Sequence, residues 1–227
     1  MNAKSSVVYL QLAGARARQA NPDAAEAALL QGLGVLPGDT RLTVALATFY
    51  SEQGALDKAA AVYTKALDAT PDEPRYVLNL AGIRERQQQY EEAITLYEGF
   101  LENNPGNVIA TNNLAALLAD HRSDEASLNQ AKELASKLAA STQPALLDTL
   151  GWVYYRSGDY DKAAEILSGV VEQAPDVPIF RYHLGMAYYK QGDKRAAKEI
   201  LSKAVAADMN YGGVEEARQV YKEIGGS

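Results

Sequence analysis

Few side chains in this sequence could do chemistry, and each can be weighed. The two histidines, His121 and His183, stand far apart in the chain, and neither has a partner at metal-ligand spacing. The acidic pairs Asp72-Glu73, Glu91-Glu92 and Glu215-Glu216 could in principle work as general acid and base. They sit at or near helix starts, where the helix dipole favours negative charge, so a structural role explains them. Four tyrosines, Tyr63, Tyr97, Tyr154 and Tyr188, resemble a ligand stripe, but their periodic offsets are those of packing positions. Cys is absent, which removes disulfides, thiolate metal sites and cysteine nucleophiles together. The glycines are scattered and form no phosphate-cradling loop. The expectation is a protein that is not an enzyme and holds no metal or cofactor.

The chain has 227 residues, 47% of them hydrophobic and 22% charged, enough to bury a sizeable core and too balanced for disorder. Its net charge of −7 disfavours a nucleic-acid partner. No apolar run approaches the ~18 residues of a membrane span, and the start, Met1-Asn2-Ala3-Lys4-Ser5, has no signal-peptide core. A targeting segment is expected to be missing from this chain, with the compartment, periplasmic or cytoplasmic, left open.

Internal repetition decides the organisation. Pro37, Pro71 and Pro105 stand 34 residues apart. A small residue follows Leu at Leu12-Ala13, Leu46-Ala47, Leu80-Ala81, Leu114-Ala115, Leu150-Gly151 and Leu184-Gly185. Twelve positions later comes an Ala, at Ala25, Ala59, Ala93, Ala163 and Ala197, with Ala131 arriving four positions late. Within each copy apolar residues step by three and four, which predicts two amphipathic helices packed at small-residue crossings. Gln53-Gly54, Ser157-Gly158-Asp159 and Gln191-Gly192-Asp193 supply the turns between them, and Asn21-Pro22 supplies a cap and a helix start. Four extra residues within Asp120–Ser127 read as a longer surface turn or a partner-contact loop. Val214, Ala217, Val220, Tyr221 and Ile224 mark one further amphipathic helix, over 212–225, that would cap the last apolar face. The expected fold is all-α with thirteen helices: repeats at 6–39, 40–73, 74–107, 108–143, 144–177 and 178–211, then the cap, as one domain over 1–227.

These offsets resemble the tetratricopeptide repeat. Repeat two reads Thr43, Leu46, Ala47, Tyr50, Ala59, Tyr63, Ala66, Pro71, and repeat six ends on Met209 where the pattern has Pro. The resemblance implies a right-handed superhelical solenoid whose first helices line a concave groove. Inward offsets of that geometry hold Arg18, Arg41, Arg75, Asn79, Arg86, Asn112 and Asn113 in repeats one to four. In repeats five and six they hold Asp148, Trp152, Tyr155, Arg156, Ile179, Tyr182, His183, Met186, Tyr189 and Lys190. The first set suits peptide groups and carboxylates. The second carries the residue types that most often anchor binding. A protein or peptide partner is therefore expected in the groove, anchored by Trp152, Tyr155, Tyr182 and Tyr189, with Asp148, Arg156 and Lys190 setting direction and Arg75, Asn79, Asn112 and Asn113 extending the contact. Leu10 and Gly14 stand where the carboxylate clamp of heat-shock co-chaperones has Lys and Asn, which disfavours that partner class.

Three stretches, Asn113–Asp120, Leu146–Trp152 and Arg181–Gly185, resemble bacterial envelope tetratricopeptide proteins of exopolysaccharide and exosortase (PEP-CTERM) systems. Two other readings stand beside a scaffold: a homo-oligomer formed through an uncapped amino end, where Val7, Val8 and Leu10 would be open, and a regulatory domain of a larger protein.

Overall fold

The computed structural model describes residues 5–206 and 211–226. Met1–Lys4 and Met209, discussed above, lie outside them. Among the described residues there are thirteen α-helices and no strand. They form two compact bodies, Met1–Pro105 and Gly106–Ser227. The N-terminal body holds repeats one to three as the hairpins α1 (Ser6–Arg18) with α2 (Pro22–Val35), α3 (Thr40–Glu52) with α4 (Leu56–Ala69), and α5 (Pro74–Arg86) with α6 (Tyr90–Asn103). The C-terminal body holds α7 (Val108–His121) with α8 (Glu125–Ser136), α9 (Pro144–Arg156) with α10 (Tyr160–Gln173), and α11 (Pro178–Gln191) with α12 (Lys194–Val205). It ends on α13 (Val214–Glu223).

Local signals account for the helix ends. The side chains of Asn21, Asp159 and Asp193 each accept a backbone N–H three residues on, capping α2, α10 and α12. The turn inside a hairpin requires a left-handed residue, supplied by Gly54, Gly158 and Gly192. At the same place repeats one and three have Ala20 and Gln88, also at positive φ, where an L side chain is strained.

Small residues sit at the crossings as expected. Ala59, Ala93, Ala131, Ala163 and Ala197 are fully buried. At Gly151 an added Cβ would stand 2.6 Å from Leu167 Cγ, and at Gly185 2.5 Å from Leu201 Cδ2, so the second helices approach too closely for Ala.

The expected long turn in repeat four is corrected. The turn is short, Arg122–Asp124, and Asp124 caps α8. The extra residues instead make up about one helical turn at the front of α8, so Ala131 arrives later on the same face. The capping helix is present: Val214, Ala217 and Val220 of α13 are buried, and Tyr221 and Ile224 pack beside them.

Candidate partner-binding site

The inward offsets of the first helices look different in the two bodies. On α5, Arg75, Asn79, Gly82 and Arg86 step by four, three and four and so share one face. All four are exposed or partly exposed. Between α3 and α5 lies a recess of about 380 Å³, lined among others by Thr48, Ser51, Glu52, Asn79, Gly82 and Arg86. An added Cβ at Gly82 would meet nothing within 4 Å, so this helical glycine answers no packing need.

The polar groups here are partly committed. Arg86 donates to the Ser51 hydroxyl and to Ser51 O, which anchors its guanidinium across the recess. Asn79 Nδ2 donates to Arg75 O one turn back, at 2.6 Å, which leaves its Oδ1 open as an acceptor. Among the described residues Arg75 has no ion-pair partner. Arg41, also expected in the groove, is engaged by Asp39 at 3.4 Å, and Arg18 is exposed at the end of α1.

In the C-terminal body the equivalent positions are filled. Trp152 of α9 is only 7% exposed. Its ring stacks on Tyr155 at 4.6 Å and on His183 of α11 at 4.1 Å, and its Nε1–H donates to Asp120 of α7 at 2.7 Å. Arg156 donates to the same Asp120 oxygen at 3.1 Å. Asp148 is buried, and both of its oxygens lie 2.9 Å from His183 Nδ1. Tyr182 is 3% exposed and donates to Glu216 of α13 at 2.6 Å, and Tyr189, half-buried, donates to Glu223 in the same way. Burial pushes the Tyr155 and Tyr182 hydroxyls up, with Glu216 adding to both. Met186 is buried as well.

The expectation that Trp152, Tyr155, Tyr182 and Asp148 line an open groove wall is therefore corrected. α7, α9, α11 and α13 pack side by side, and large side chains at the inward offsets fill the space between neighbours. The sequence reading missed the role of Asp120, Glu216 and Glu223, whose carboxylates hold these rings, and took Glu216 only as charge at a helix start. Their signal was the spacing, since Tyr182–Glu216 and Tyr189–Glu223 are each one repeat apart. Asn112 and Asn113 of α7 are partly buried, and Asn112 Nδ2 donates to Asn113 Oδ1.

Sequence profiles described as tetratricopeptide repeat match residues 21–83 and 154–215, and a second profile of that description matches 78–140. The chain belongs to the tetratricopeptide repeat family. Repeats of this family generally mediate protein–protein interaction on a non-catalytic scaffold. Among solved structures, a tetratricopeptide repeat protein from Parabacteroides merdae is similar at 18% identity and TM-score 0.76, over 95% of this chain and 87% of that one. PilW, a type IV pilus biogenesis factor, is similar at 19% identity and TM-score 0.71, over 94% and 98%. YrrB, described as a tetratricopeptide repeat protein with an unusual peptide-binding site, is similar at 19% identity and TM-score 0.61, over 84% and 97%. At these identities the likeness is one of fold. No curated protein matches the chain. None of these matches shows the link to exopolysaccharide systems. Among the described residues no helix is long and apolar enough to cross a membrane, and no group of three His, Asp or Glu could hold a metal ion.

Proposed function

We propose that the chain is a binding scaffold that holds an extended, acidic partner segment in the recess between α3 and α5. The observation that carries this reading is the stripe Arg75–Asn79–Gly82–Arg86 beside that recess. Asn79 Oδ1 accepts a peptide N–H, Gly82 leaves room for main chain against the helix, and the two guanidiniums take carboxylates. The peptide-binding site named for YrrB supports a peptide ligand for this repeat type. The setting in a bacterial envelope exopolysaccharide system rests on the three stretches in repeats four to six alone.

Fluorescence anisotropy with short labelled peptides tests this reading. Glu-rich extended peptides bind, Lys-rich ones do not, and Arg75→Glu weakens binding at least ten-fold. Equal affinity for both peptide classes, or an unaffected variant, rejects it.

A second reading, self-association through α1, is favoured by Val7 and Leu12. These are 44% and 39% exposed, although Leu12 occupies the position at which the other repeats bury a Leu. Light scattering decides it, because a mass that stays monomeric with concentration removes self-assembly.

A further inference from the structure

On the other side of the N-terminal body, a second cavity of about 560 Å³ opens between α2 and α4 over α3. Its wall is mostly aliphatic, with Leu30, Leu33, Leu46 and Val62 among the lining residues, and Gly34 and Ala66 leave it wide. Leu30 is 48% exposed there, apolar surface that an occupant would cover. The polar side chains on this wall divide into two kinds. Thr43 donates to Asp39 O, Thr70 to Ala66 O, and Tyr50 to Glu26 Oε1, so these three are satisfied within the protein. The Tyr76 hydroxyl, whose ring packs on Tyr63, and the exposed Lys65 ammonium make no hydrogen bond or ion pair among the described residues, and both are donors. Tyr76 is only 2% exposed, but its hydroxyl is not one of the buried atoms that lack a partner, so it is open to a ligand or to water.

A mostly apolar cleft of this size suits a small ligand. Two donors stand on its wall, and Lys65 offers an acceptor a positive charge. We propose that this cavity binds an anionic amphiphile, an aliphatic chain ending in a carboxylate, with the chain between α2 and α4 and the carboxylate at Lys65 and Tyr76. The site is separate from the recess between α3 and α5 and does not depend on it.

Isothermal titration of the full chain with dodecanoate, kept below its micelle concentration, tests the proposal. One dodecanoate binds per chain. Lys65→Glu, an exposed change, weakens it at least ten-fold, and Tyr76→Phe, which keeps the ring, weakens it several-fold. Ala66→Leu, which fills the chamber, abolishes binding, with circular dichroism confirming that each variant is folded. The cationic analogue dodecylammonium does not bind. Absence of dodecanoate binding overturns the proposal. So does equal binding by the wild type and the Lys65 and Tyr76 variants, or equal binding of dodecanol, since either result means general apolar adsorption.

Discussion

Gly82 and Trp152 are the same residue of their repeats, the ninth, yet one opens a recess and the other closes a wall. In the N-terminal body the ninth positions of repeats two and three are Thr48 and Gly82, and both line the space between α3 and α5. In repeats five and six of the C-terminal body they are Trp152 and Met186, both buried. The offset sets the direction of a side chain, and its size decides whether the space it points into stays available. A large aromatic at an inward offset meets its own neighbours before it can meet a partner.

That contrast is exposed to several tests. The largest effect is expected at Trp152, because Trp152→Ala removes two stacked faces and leaves Asp120 held by Arg156 alone. A loss of about 3–5 kcal/mol in unfolding free energy is expected, measured by denaturant titration. A loss under ~1 kcal/mol would mean that the ring is a surface group after all. Asp148→Ala should cost about 1–3 kcal/mol, because it leaves the buried His183 ring nitrogen without its partner. Its effect is read by the same titration, with His183→Ala as the second arm of a double-mutant cycle.

The crossings provide a control. Ala93→Leu in one body and Ala163→Leu in the other should each cost about 1–3 kcal/mol by overpacking. A body-dependent difference would show that the two hairpin cores differ, and not only their inward faces. Thermal midpoints of both variants decide this. Smallest is Gln88→Gly, which relieves a left-handed residue where three other repeats use Gly, and should add about 1 kcal/mol. A lower melting temperature for that variant would mean that the Gln88 side chain contributes more than its backbone costs.

The hairpins were legible because their signals are periodic and local. Leu-small pairs, crossing alanines and turn glycines each repeat, and thirteen helices follow from them. The extra turn in α8 was not legible, since four residues inserted near a hairpin turn read equally as loop or as helix. The open recess on α5 was half legible: Arg75 and Asn79 were expected inward, but Gly82 carries no polar signal of its own. The filled wall was misread, because the carboxylates that hold it come from the neighbouring helix α7 and from the capping helix α13. Asp120 lay in a presumed loop, Glu216 was read only as favourable charge at a helix start, and Glu223 lay in a helix read for its apolar face.

The lone Trp allows one direct comparison of the two faces with the same reporter. Trp152 in the wild type is compared with the double variant Gly82→Trp/Trp152→Phe by emission maximum and acrylamide quenching. At position 152 the ring should emit to the blue and resist quenching, being stacked and nearly buried. At position 82 it should emit to the red and quench readily, with acidic-peptide binding lost because the recess is filled. Matching emission and quenching at the two positions, or a more protected ring at 82, would contradict the account.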